Sequence, residues 1–449
     1  MKKISLMIFV LIVFATMLSA CGGDSVSNNS ESTSSNNSDS GQSNASNETE
    51  TVTLELYTWL KEHEEHWTVL LEEFNKEYPH IKINLNNDWG TSELVKVDLA
   101  AASQQPMDII TLPNSESYSQ RLDMFLPLDE FINEEGMNYD EEYKVSTKIN
   151  DQYYALPGRL QIWFVLMNKE KLDQAGLEVP KEWTWDEFME YAKVLTSGEG
   201  ADKEYGTFFH KWVNYFTMAN LNNPINNILV NDGKAAIDTD RVRKSLEITY
   251  QLQNEDKTAP PYAEIISQKM SYRNYYFQGK SSIMPIGSFM IQEAGGTEKT
   301  AATFKSAFAP YPKFSEDDEN GLTYGGIDYV GVAANSKHPK EAYEFIRWYT
   351  TKGMSIAGNL SSWKKADLDQ EIEGILANAT HPEMVDLESL KYVMDISIPA
   401  KISPTPEYYT EVNERYISEV EKFLLNKQDL DTTIKNAEKA VTDIINANQ

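Results

Sequence analysis

The chain has 449 residues, and its 69 acidic against 40 basic side chains leave a formal charge of −29 at pH 7. So acidic a chain, with no stripe of Lys and Arg, argues against binding through nucleic-acid phosphates. Its single cysteine excludes an intramolecular disulfide framework.

The chain opens with Lys2 and Lys3, an apolar run from Ile4 to Met17, and then Leu18-Ser19-Ala20-Cys21. A basic start, a short apolar run and small residues before a cleavage point make a secretory signal over 1–20. The run is too short for a comfortable membrane span. Cleavage there leaves Cys21 first, a spacing that resembles the bacterial lipobox, so lipidation of Cys21 is expected. Residues 22–50 contain ten serines, six asparagines and no aromatic. That composition cannot bury a core and is expected to stay disordered. A flexible coil of this length spans roughly 30 Å. Segment 21–50 therefore reads as a tether holding a soluble body at the extracellular face of a cell membrane, with a Gram-positive envelope the expected setting.

The body, 51–449, is long enough for two or three domains. Val52 to Trp59 alternates apolar and polar residues, as a strand does. Trp67, Leu70, Leu71, Phe74 and Tyr78 share one face of a helix stopped by Pro79. Ile81, Ile83 and Leu85 alternate again, Glu93 to Ala102 is helical, and Asp108 to Leu112 is a short buried strand. Strands and helices in alternation predict an α/β body with a largely parallel sheet. Ligands of such sheets sit at the carboxyl ends of the strands, which here hold Trp59 and Asn114.

Pro157-Gly158 then breaks the chain before a run from Leu160 to Met167 that reads as a buried strand. Arg159, Gln161 and Trp163 alternate on one face of it. Buried polar residues in such a place need something polar to touch. Further on, Gly176 closes a helix, and Thr184 with Glu187 three residues later forms a capping-box signature. Phe208 to Asn222 is rich in aromatics, including Trp212 and Tyr215. Asp240 to Gln253 is helical, Thr303 to Pro312 is a strand, and a strand opens at Gly325-Gly326. A helix starts at Ser336, and the remainder is largely helical.

Sharper chemistry is weakly signalled. His63-Glu-Glu-His66 misses the zinc-protease spacing, because Trp67 stands where the second histidine belongs. Gly279-Lys280-Ser281 lacks the earlier glycine of a phosphate loop. Asp317, Asp318, Glu319 and Asn320 read as a solvated acidic loop rather than a calcium site. No cofactor and no metal are expected.

Several short motifs, in order and spacing, carry a resemblance. They are Tyr154-Ala-Leu-Pro157, Met167-Asn168-Lys169, Pro180 with Thr184-Trp-Asp-Glu187, Phe277-x-Gly-Lys280, Gly287-Ser-Phe289 and Ser336-Lys-x-Pro-Lys-Glu-Ala342. The sequence resembles the bacterial extracellular solute-binding proteins that deliver sugars to ABC importers, typified by maltose-binding protein. Met167 departs from the usual Tyr, and Phe289 stands where Trp is common. The resemblance implies a periplasmic-binding-protein-like fold (type II): two α/β lobes joined by hinge strands, with ligand in the cleft between them. Lobe one would take 51–158 and 308–352, and lobe two 159–307 and the helical 353–449. It also implies a monomer with permease subunits as partners and no catalysis.

Sugars offer an apolar C–H face and a polar rim, so their sites combine aromatic rings with hydrogen-bonding side chains. The stacking candidates are Trp59, Trp163, Trp212, Tyr215, Phe289 and Trp363. The polar candidates are Glu62, Asn114, Arg159, Gln161 and Asp328, with Gly325 and Gly326 where backbone can approach a ligand. Gln161 falls where the family carries a hinge-strand ligand residue. Core packing competes for each aromatic, an ion pair for Arg159, and the helix dipole for Glu62. The expected ligand is a mono- or oligosaccharide, the latter favoured by the number of aromatics. The alternatives are a cell-surface glycoside hydrolase with Glu187 and Asp328 as its acid pair, or an envelope adhesion lipoprotein.

Overall fold

Long apolar runs in this sequence become strands buried on both faces, and one of them organises the rest. The structure, a computed structural model, describes residues 51–60, 64–86 and 93–449. The expected signal, Cys21, the tether and Glu62 lie outside the described residues, as does His63.

The main sheet is built from β1 (Val52–Tyr57), β2 (Ile81–Asn86), β3 (Ile109–Leu112), β4 (Leu156–Asn168), β5 (Tyr205–Thr207), β6 (Ser281–Gly287), β7 (Ser306–Ala309) and β8 (Gly325–Val332). Their order is β2-β1-β3-β8-β4-β6-β5, with β7 also on β4. β1 runs parallel to β2 and β3, while β8 runs antiparallel to β3 and β4. Alternation of strand and helix at the start thus gives the expected parallel half-sheet, with α1 (Glu64–Glu77) and α2 (Glu93–Ala102) as its crossovers.

β4 is the only one of these eight strands that serves both halves of the sheet. Leu156 to Ile162 pair with β8, and Trp163 to Met167 pair with β6. Alternate residues of its second half enter different cores, as a strand of period two requires. Trp163, Val165 and Met167 pack with the helices beyond residue 184, whereas Phe164 and Leu166 join a core that spans both halves. A third core, with Trp67, Phe74 and Phe345, belongs to the first half. The described residues form one compact unit. Residues 308 and 309, expected to return to the first half, instead lie in β7 against Leu166 and Val165. Burial of Phe308 against Phe164, ring centroids 5.2 Å apart, holds them there.

Local chemistry sets the helix ends. Thr184 caps the helix Trp185–Val194 with its hydroxyl on the Glu187 N–H, while the Glu187 carboxylate accepts from the Thr184 N–H at 2.8 Å, as the spacing predicted. Gly176 takes a left-handed conformation to close the helix Lys169–Ala175. The chain ends in two long amphipathic helices, Tyr409–Leu424 and Leu430–Ala447, packed on the second half.

Candidate functional site

Two cavities flank the middle of β4, of about 270 Å³ and about 400 Å³. The smaller is lined by the loop after β3 (Pro113 to Glu116), the start of β8 (Gly325 to Ile327), Tyr324, and second-half residues Asn214, Thr217 and Asn227. The larger is lined by Trp59 and Leu60 after β1, Arg159 to Gln161, Arg273, Ser288, Phe289, Glu293 and the stretch Gly358 to Leu360. Gln161 lines both. The ends of β1 and β3 thus supply Trp59 and Asn114, as parallel-sheet geometry leads one to expect.

Gln161 is partly buried, and its side-chain amide makes no hydrogen bond among the described residues. An amide carries two donors and an acceptor, so here it is available to anything that enters either cavity. Asn114 divides its capacity. Its Oδ1 accepts from the Ser117 N–H at 2.8 Å as the N-cap of the short helix Ser115–Ser119, which leaves the two NH₂ donors uncommitted by the cap.

Arg159 lies across the Trp59 ring, 5.0 Å from its centroid. Its Nε stands 3.3 Å from Oδ2 of Asp328. The alignment is poor: neither the Nε–H nor either carboxylate oxygen of Asp328 completes a hydrogen bond. Burial pushes the Asp328 carboxyl up to about 6, with the Arg159 charge opposing the shift. The pairing register of β8 with β4 shifts between Ile327 and Tyr329, so Asp328 sits at an irregularity of the ladder. Asp328 lines neither cavity; it backs Arg159 rather than facing a ligand in this conformation.

Phe289 is aimed into the larger cavity by the turn after β6. A Cβ on Gly287 would sit 2.6 Å from the Phe289 ring, so the fold-back needs glycine. Gly325 has a different reason for lacking a side chain. A Cβ there would meet Pro399 at 2.8 Å, so the space beside it is filled by the chain itself rather than left for a ligand.

The remaining aromatic candidates fall away from the cavities. Trp163 keeps the expected alternation with Gln161 but is only 4% exposed, covered by Tyr215, Tyr311 and Tyr324 at edge-on geometry. Tyr215 is fully buried, and its hydroxyl donates to the Pro285 carbonyl at 2.8 Å. Both are core residues, because a ring sealed on every side has no face left for a sugar. Trp212 is half-buried among His210, Tyr272 and Phe289, and reaches the larger cavity only through Phe289. Burial lowers the His210 imidazole to about 4, which keeps it neutral near pH 7. Trp363 donates its indole N–H to Glu142 at 2.7 Å and lines neither cavity.

Sequence reading missed Tyr324, Ser288 and Arg273. The first two adjoin Gly325-Gly326 and Phe289, so the glycine motifs pointed near them. Arg273 carried no signal, nor did Asn359. The acidic loop places Asp318 on Arg241 at 2.5 Å, and among the described residues no group of three or more His, Cys, Asp or Glu is placed to hold a metal.

Known proteins share this architecture. The Multiple sugar-binding protein of Streptococcus mutans is 24% identical over 373 residues, which is 78% of this chain and 79% of that one. The Arabinooligosaccharide-binding protein of Bacillus subtilis is 25% identical over 385 residues, 82% of this chain and 80% of that one. A sugar transporter of Rhizobium etli, solved in an open conformation, superposes with a TM-score of 0.74 at 20% identity, covering 87% of this chain and 99% of the other. The fold is therefore the two-lobed one, with β4 the strand that serves both halves of the sheet. The sequence model for the bacterial extracellular solute-binding proteins matches residues 60–355, and the chain belongs to that family.

Proposed function

We propose that the protein captures a carbohydrate in the cleft beside β4 and hands it to an ABC importer, without altering it. The observation that carries this reading is Gln161, an unpartnered amide lining two cavities, the larger of which also presents Trp59 and Phe289. Rings for C–H faces and amides for hydroxyls are what a sugar needs. Two cavities that share one residue fit an oligosaccharide with a unit on each side of Gln161. Singly they lie near or below the lower end of the usual range for small-molecule pockets, roughly 300–1,000 Å³. The names of the relatives from S. mutans and B. subtilis agree with this substrate class.

Capture works by bias. A ligand that touches both lobes stabilises the arrangement that brings them together, and only that difference in affinity can shift the equilibrium. The importer then reads the closed form. Lipidation at Cys21 would keep the receptor beside its permease, with the tether 21–50 giving it reach.

Hydrolysis fits the site poorly. A glycosidase places two carboxyls about 5 to 10 Å apart across one sugar. Glu187 serves its helix cap and Asp328 backs Arg159. The carboxylates on the cavity walls are Glu116 in one and Glu293 in the other, the latter held by Arg273 at 2.7 Å.

A thermal-shift screen over mono- and oligosaccharides tests the reading. A bound sugar in hundredfold excess over its Kd should stabilise the protein by about 2.7 kcal/mol. Release of reducing sugar with no shift from any glycan would reverse it.

A further inference from the structure

Resting on the carbohydrate reading, we propose that Asp328 makes the site select uncharged sugars, by cancelling the Arg159 charge from behind. The larger cavity contains a guanidinium whose terminal amino groups make no hydrogen bond among the described residues. Alone, such a group is a trap for carboxylates, which it grips with two parallel N–H bonds. It is not alone. Asp328, 2% exposed, stands 3.3 Å from Nε on the side away from the cavity.

The charges pair throughout the cavity. Arg273 is held by both oxygens of Glu293, at 2.7 and 2.8 Å. The smaller cavity has Glu116 as its one charged lining residue. A sugar carboxylate entering against Arg159 would therefore meet no uncompensated cation and would be brought towards a buried like charge. A hydroxyl pair meets the same N–H donors without that penalty. Trp59 supports this geometry, since its ring lies beneath the guanidinium at cation–π distance. The unsatisfied carboxylate and Nε–H are what a protein tolerates where function rather than stability sets the arrangement.

Isothermal titration of the mature protein with arabinotriose, xylotriose and maltotriose as neutral probes, and trigalacturonate as the acidic probe, tests the inference. The wild type should bind at least one neutral trisaccharide tenfold or more tighter than trigalacturonate. Asp328→Asn should narrow that ratio at least tenfold or reverse it, while Arg159→Gln weakens the neutral probe without raising affinity for the acidic one. A structural role for Asp328 would lower the melting temperature and leave the ratio unchanged. The wild-type ratio needs no variant and can overturn the inference even if Asp328→Asn does not fold. Preference of the wild type for trigalacturonate overturns this inference and leaves the carbohydrate reading standing. Heat from none of the four probes, neutral or acidic, overturns both.

Discussion

The two halves of β4 share a strand and little else. Leu156 to Ile162 hold the partly buried Arg159 and Gln161 and pair with a strand whose register slips. Trp163 to Asn168 are buried without exception, with an unbroken ladder to β6 and β7. One half is shaped for what it binds and the other for what it holds up. The difference teaches that a single run of apolar residues can change task within one peptide unit, at the place where its neighbours change.

Substitutions can break this contrast. Phe164→Ala empties the wholly buried half and should cost about 3–5 kcal/mol of stability, with affinity for sugar unchanged in whatever fraction folds. Urea unfolding beside titration calorimetry reads both. Gln161→Ala should do the reverse, losing about 1–3 kcal/mol of binding as ligand hydroxyls go unpaired, with an unaltered urea midpoint. A midpoint that falls instead would mean that Gln161 braces the fold.

Trp212→Ala tests how far the site extends into the second lobe. The ring meets Phe289 edge-on at 6.4 Å, so binding should weaken by no more than about 0.5–1.5 kcal/mol, the worth of such an aromatic pair. A larger loss would place Trp212 on the ligand itself.

A pH-dependent effect concerns the edge beside Arg159. Ser361 bridges to Arg159, and its N–H donates to the buried Glu371 at 2.6 Å. Burial raises the Glu371 carboxyl to about 7 from its ordinary 4.5, with Lys144 opposing. The native state thus keeps a proton that the unfolded chain releases, and the wild type loses stability as pH rises from 4.5 to 7. Gln cannot ionise, so Glu371→Gln should melt higher than wild type at pH 8 and alongside it at pH 5. Equal melting at both values would show that the carboxylate is fully compensated.

What the residues disclose in advance follows the same division. Periodicity found the strands and the helix faces, because burial writes itself into alternation. The capping box at Thr184 and the C-cap at Gly176 were legible because their geometry is local. Alternation on the buried strand picked out Arg159 and Gln161, and the family's Gly287-Ser-Phe289 motif picked out Phe289. The aromatics divided differently: nothing in the chain near Trp163 or Tyr215 tells whether a distant ring will cover it. Tyr324 covers Trp163 from 161 residues away, and Arg273 joins Arg159 by the folding of separate segments. Such contacts belong to tertiary packing, which overrides any local pattern.

The seam between the halves of β4 has a mechanical side. The Ile162 N–H goes to the hydroxyl of Ser288 at 3.3 Å, and the Trp163 N–H goes to the hydroxyl of Thr323 at 3.2 Å, which also returns a bond to the Trp163 carbonyl. A carbonyl of a facing strand is fixed in direction, whereas a hydroxyl can rotate about its C–O bond. Where the strand crosses between lobes, the backbone is therefore fastened by swivels instead of rungs. Torsion at that point re-aims two hydroxyls. The consequence expected of such a joint is ease of twist, a bearing set between two sheets.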